Sequence, residues 1–136
     1  MARLLGIDYG RVRIGLAVCD ELGISTSQLG FIRRESDAQA AVVVAAVAKR
    51  ESVAGLVIGL PLHAHGAEGA NVRWVRGFVA EIQKHSALPV HEVDERYSSS
   101  EAETQLKAEG PWPAPAGAVD ARCAAIILRR YLDGDH

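Results

Sequence analysis

The first third of the chain sets short apolar runs between turn residues at the spacing of strands. Leu4 to Asp8 is apolar up to its closing acid, Tyr9-Gly10-Arg11 turns the chain, and Val12 to Val18 resumes with small and β-branched side chains. Ile24 to Ile32, between Gly23 and Arg33-Arg34, is a weaker third strand, so the opening reads as an antiparallel meander. The period then changes. Ser36 with Gln39 three residues on is a capping box ahead of the Ala/Val-rich stretch Ala40 to Ala48, and Lys49-Arg50 suits the negative end of a helix. Together they predict a helix over Asp37 to Glu51. Val42 to Val44 alone favour a strand, but the cap and the surrounding alanines outweigh them.

Gly55-Leu56-Val57-Ile58-Gly59 is a compact apolar strand of the kind buried on both faces, typical of a parallel sheet. After Leu60-Pro61 comes a polar loop. A helical pattern follows from about Ala67 to His85, with Val72, Val75, Val79 and Ile82 three or four apart. Pro89 to Asp94 is the next strand. Ser98 with Glu101 reads as a second capping box, opening a helix that ends by Gly110. Pro111, Pro113 and Pro115 mark a rigid exposed linker, and the last helix runs from Gly117 to Leu132. This order predicts an α/β fold: a five-stranded mixed sheet, built from an antiparallel meander and βαβ crossovers, with the strand of Asp8 in the centre and helices on both faces.

A chain of 136 residues, 49% hydrophobic and 24% charged, is one domain with its own core and no room for a second. Function therefore sits on the surface of that fold or between two copies of it, which leaves a homodimer open. The net charge of −2 does not announce a nucleic-acid binder, so that role would need local patches. Cys19 and Cys123 lie in apolar stretches without disulfide or zinc spacing and read as buried thiols. No signal peptide is evident, and no apolar run approaches the ~18 residues that span a bilayer, so a cytoplasmic protein is expected.

Three acidic positions strain an ordinary reading. Asp8 closes an apolar strand between Gly6 and Gly10, where bare backbone lets a ligand approach. Asp94 and Glu95 close another strand, at the rim where open α/β sheets collect ligands. Strand alternation sends these two to opposite faces, so only one is expected to join Asp8, and spacing does not choose between them. Asp120 aligns with Ala124, Ile127 and Tyr131 on the helix stripe expected to face the sheet, where a carboxylate needs a partner. Crowded carboxylates raise one another's pKa, whereas a divalent cation keeps them ionised, and oxygen-only ligands select magnesium or manganese. Two such ions side by side stabilise both the attacking and the leaving oxygen of a phosphoryl displacement. Arg11, Arg13, Arg73, Arg76 and Arg96 are the candidates for phosphate contact. Trp74 and Trp112 could stack on bases, although core packing and loop anchoring are the plainer readings. His63 and His65 leave open an extra metal or phosphate contact.

Gly6-Ile7-Asp8-Tyr9-Gly10-Arg11-Val12-Arg13-Ile14-Gly15-Leu16-Ala17, Gly59-Leu60-Pro61 with Gly66, Asp94-Glu95-Arg96, and Asp120-Ala121 leading into an apolar helix together resemble the YqgF family, also called RuvX. That family is regarded as Holliday junction resolvases or as nucleases maturing the small-subunit ribosomal RNA precursor. The resemblance runs through nearly the whole chain in the right order. It implies a RuvC-like RNase H fold and a metal-dependent phosphodiesterase using Asp8, one or both of Asp94 and Glu95, and Asp120. Asp8, Glu95 and Asp120 would hold magnesium or manganese, and the substrate would be branched DNA or precursor rRNA. Tyr97-Ser98-Ser99 and His63-Ala64-His65 depart from the family pattern. Two other functions fit parts of the chain. The Gly-x-Asp-x-Gly turn also occurs in actin-like ATPases, which need a second domain, and a non-catalytic ribosome-assembly factor could keep the fold without using the acids.

Overall fold

A computed structural model of the chain describes residues 2–61 and 70–134. Among these residues the elements are, in order, β1 (Leu4–Asp8), β2 (Arg13–Cys19), β3 (Thr26–Arg33), α1 (Asp37–Arg50), β4 (Gly55–Leu60), α2 (Ala70–Gln83), β5 (Val90–Asp94), α3 (Ser98–Glu109) and α4 (Ala118–Leu132). The strands form one sheet in the order β3-β2-β1-β4-β5. β1 pairs antiparallel with β2 and parallel with β4, β2 pairs antiparallel with β3, and β5 joins β4 in parallel. The strand of Asp8 is therefore central, as the apolar pattern predicts. His63, His65, Gly66 and the first residues of the predicted second helix lie outside the described residues.

The first cap is present in its Ser36 half: the Ser36 hydroxyl accepts from the Gln39 N–H at 3.1 Å, whereas the Gln39 side chain accepts from the N–H of Glu35, one residue before the cap, at 3.4 Å. The second is not. Tyr97, in the left-handed region at φ 65, is the N-cap of α3 without a side-chain bond, and Ser98 is the first helical residue. Ser98 is 3% exposed. Its hydroxyl is turned inward to the Cys123 thiol, so burial against α4 has overridden the capping role. Glu101, the other half of the expected box, pairs with Arg130 at 3.1 Å.

Strand alternation assigns the two faces of the sheet. Leu5 and Ile7 of β1, Ile14 and Leu16 of β2, and Leu56 and Ile58 of β4 pack beneath α1 and α2, with Val44, Val72, Val75 and Phe78 fully or almost fully buried. α4 crosses the opposite face, and α3 packs on α4. On that side Ala17, Val57 and Val93 pack on α4 through side chains, and two glycines present bare backbone. A Cβ on Gly6 would stand 2.8 Å from the Ala124 carbonyl oxygen, and one on Gly15 would overlap the Asp120 carbonyl. The bare backbone at Gly6, expected to admit a ligand, admits helix α4 instead. Gly10 belongs to the turn itself, where a Cβ would collide with the Arg13 carbonyl.

Gly15→Ala should consequently lift α4 and cost about 3 kcal/mol, at the upper end for overpacking, because the obstacle is backbone that cannot rotate away. Gly77→Ala, on the exposed side of α2 with open space around it, should instead stabilise by about 0.5–1 kcal/mol. Urea denaturation of both variants checks the pair; a Gly15→Ala change within 0.5 kcal/mol of wild type would contradict direct helix-on-backbone packing.

Candidate active site

Register brings two acids from different strands to one point. Asp8 ends β1, and the pairing of Ile7 with Ile58 continues to place Gly59 beside it. Gly59 in turn is paired with Val93, and Leu60 with Asp94. The Glu95 N–H donates to the Leu60 carbonyl at 3.1 Å, so the ladder runs one residue past β5. Val93 packs with Val57, Ile127 and Leu128 on the α4 face, whereas Glu92 meets Arg76 of α2 at 3.3 Å on the other. Alternation therefore gives Glu95 to the α4 face, with Asp8, and Asp94 to the opposite one. A Cβ on Gly59 would stand 2.9 Å from the Glu95 Cβ, so the missing side chain is what lets Glu95 lie across β4 and reach Asp8.

The two carboxyl groups are hydrogen-bonded to each other. Burial, reinforced by the Asp8 charge, pushes Glu95 up to about 9, so it carries the proton and donates it. Burial and the charge of Asp120 push Asp8 up to about 6, against hydrogen bonds from Glu95 and Cys123 that favour its anion. At neutral pH the pair thus holds one negative charge and one proton.

Asp94 is occupied elsewhere. Its carboxylate accepts from the Arg96 backbone N–H at 2.8 Å and from the Arg96 Nε at 2.6 Å, which fixes the turn into α3. Asp120 is on the sheet-facing stripe of α4, as its spacing predicts, with 23% of its side chain exposed. The partner that such a carboxylate needs is the Arg13 Nε, at 2.9 Å. The residue that sequence reasoning missed is Cys123, one turn from Asp120. Its thiol reaches Asp8 and the hydroxyls of Ser98 and Ser99, the last at 3.9 Å. Burial and the nearby Asp8 charge push it up to about 12, so it remains a protonated donor. Its i+3 spacing from Asp120 was the available signal.

The turn after Asp8 is clamped to the start of α1. Tyr9 donates to Asp37 at 2.6 Å, Arg11 donates to the Tyr9 hydroxyl at 3.0 Å, and Arg34 binds Asp37 at 2.7 Å. Arg11, Arg13 and Arg96 stand at the same rim as the acids; Arg73 is exposed on α2, and Arg76 is directed to the β5 edge. Trp74 is 44% exposed, not a core residue, and carries the Arg11 guanidinium 4.6 Å from its ring centroid. Trp112 lies under Lys107 in the linker before α4. A cavity of about 650 Å³ on the α3–α4 flank is lined by Arg122, Arg129 and Arg130 and includes none of the three acids.

Among the described residues, no three of His, Cys, Asp or Glu are already gathered as metal ligands, and Asp120 is paired with Arg13. The donor set nevertheless fits a hard divalent cation. Asp8 and Glu95 offer adjacent oxygens, and their shared proton marks a place where negative charge is in excess of what the protein neutralises. No described helix is long and apolar enough to cross a membrane.

Comparison with known proteins identifies the fold and the family. A pre-16S rRNA nuclease homologue from Synechococcus elongatus, named "Putative pre-16S rRNA nuclease", is 43% identical over 130 residues, covering 95% of this chain and 87% of its own. A protein of the same name from Anaeromyxobacter dehalogenans is 42% identical over 132 residues, with 96% of each chain covered. Among solved structures, Thermus thermophilus RuvC in complex with a Holliday junction superposes with a TM-score of 0.65 at 18% identity, over 98% of this chain and 95% of that one. Fowlpox virus resolvase with Holliday junction DNA gives 0.59 at 12% identity, over 98% of each. These likenesses establish an RNase H-like fold of the RuvC type. The model of the RuvX family, described as Holliday junction resolvase, matches residues 2–134, and the chain belongs to that family.

Proposed function

We propose that this chain is a divalent-metal-dependent endonuclease of the cytoplasm that cuts precursor 16S rRNA, with Asp8, Glu95 and Asp120 as its reaction centre. The observation that carries this reading is the Asp8–Glu95 pair, two carboxyls from parallel strands sharing one proton at the carboxyl rim, with the Asp120 charge close enough to act on Asp8. The relatives at 42–43% identity are named for that RNA, which favours it. Branched DNA is the second reading, supported by the family's description as a resolvase.

Magnesium or manganese, when bound at these oxygens, supplies the charge that stabilises the transition state and makes water a better nucleophile. The protein's own part is to present and release charge. Glu95, on losing its proton, would be a second anionic donor to such an ion. Asp120 would be the third, and turning it from Arg13 would leave a planar donor for a phosphate at the same rim. Cys123 keeps its proton and holds Asp8 in orientation. Arg96 remains on Asp94 and stiffens the turn that bears Glu95.

Single-turnover cleavage of precursor rRNA and of branched DNA, with manganese, tests this assignment. Asp8→Asn, Glu95→Gln and Asp120→Asn should each slow cleavage about a thousandfold or more, equivalent to ~4 kcal/mol of transition-state stabilisation. Asp94→Asn should stay within about tenfold, because that side chain serves the turn. Asp120→Asn should also keep its melting temperature within a few degrees, since the ion pair with Arg13 is partly exposed and worth at most ~1 kcal/mol. Full cleavage by Asp120→Asn would make that residue structural.

The shared proton also predicts how stability changes with pH. Asp8 and Glu95 both bind their protons more tightly in the fold than at their ordinary values of 3.8 and 4.5. That contribution is fully present below about pH 4 and is lost as pH rises through about 6 and then about 9. In EDTA, urea denaturation should therefore show wild type losing stability from pH 5 to 9, with a shallower loss in Glu95→Gln. A wild-type curve that is flat or rises over that range would contradict the pairing.

A further inference from the structure

Beside the carboxylate pair lies a cavity that phosphodiester cleavage alone does not require. It measures about 220 Å³ and is bounded by the Gly10-Arg11 turn, by Pro61, and by Asn71 and Trp74 of α2, with Glu95 at one end. Trp74 is the bulkiest residue that lines it. On the same helix Val72, Val75 and Phe78 are almost wholly buried, yet the Trp74 indole remains 44% exposed. The Arg11 guanidinium stands over that ring at 4.6 Å and is tethered by its hydrogen bond to Tyr9, which Asp37 anchors in turn. A stiff cation–aromatic stack is thus held at the mouth of a small recess next to the reaction centre.

We propose that this recess receives one unpaired nucleobase, that of the nucleotide adjoining the phosphate held at Asp8 and Glu95. The base stacks on the Arg11–Trp74 pair and turns its edge toward the Asn71 amide. The inference rests on the nuclease reading and names the feature of the substrate that the site selects. Indole rings and guanidinium planes are the surfaces on which proteins stack bases, and they accept every base because each has a π-face. Within a duplex both faces of a base are covered by its neighbours and only its edges are open. A stacking recess therefore admits only an unstacked nucleotide. Its volume lies below the ~300 Å³ at which sites for drug-sized ligands begin, which suits a single heterocycle. Glu95 lines the recess and also touches Asp8, so the base and the phosphate it accommodates belong to neighbouring parts of one strand.

The chain has two tryptophans, so Trp112→Phe leaves Trp74 as the only indole emitter. In EDTA, hexauridylate should quench that emission, whereas a hexamer of abasic ribose phosphates and a blunt RNA duplex should not. In the otherwise native chain, Trp74→Ala should weaken hexauridylate binding about tenfold or more without changing affinity for the abasic hexamer, and Trp74→Phe should restore most of the loss. Equal quenching by the abasic hexamer, or a Trp74→Ala effect that is absent or the same for both probes, would overturn the base site. Manganese-dependent cleavage of precursor rRNA by the wild type is scored separately. Cleavage without selective quenching removes the base site alone, and selective quenching without cleavage removes the nuclease reading while the base site stands.

Discussion

Everything in the site depends on how closely α4 lies against the sheet. Gly6 and Gly15 put two bare backbone positions under the Ala124 and Asp120 carbonyls, so at these two points the helix rests on the strands themselves, while Ala17, Val57 and Val93 meet it through side chains. That approach lowers Asp120 and Cys123 to the level of Asp8. At the N-terminal end Phe31 occupies the space over Gly117, whose φ of 81 lets the chain enter the helix there. A larger residue at Gly15 would raise the helix and part Asp120 from Asp8 before any acid was altered.

Close packing creates a charge problem that the protein meets in two ways. Asp8 and Glu95, walled in by protein, cannot both ionise at neutral pH and hold one proton between them. Asp120, nearer the surface, is matched by Arg13. A proton and a guanidinium thus offset part of the negative charge of the three acids.

Much of the architecture was legible because each element has a strong local signal: the Ser36 cap, the doubly buried run at Gly55, the apolar stretch ending in Asp8. The central position of Asp8 followed from the meander and the crossovers. What sequence could not choose, between Asp94 and Glu95, is decided by the register of β4 with β5 and by the space above Gly59, both non-local. Ser98 misled because a serine before a glutamate at i+3 has the form of a cap whether its hydroxyl turns to the helix or to a neighbouring core, and here α4 claims it. The pairing of Arg13 with Asp120 was not legible, because it joins residues 107 positions apart. Cys123 was hidden in an apolar helix where a thiol resembles any small core residue.

The most direct test is the proton count when manganese binds at pH 7, from calorimetry in two buffers of different ionisation enthalpy. If Glu95 must lose the shared proton for the carboxylates to hold a cation, wild type should release roughly one proton per binding event, and Glu95→Gln almost none. Wild-type binding with no proton release would show that Asp8 and Glu95 do not share a proton as described, and the site would have to be built on other residues.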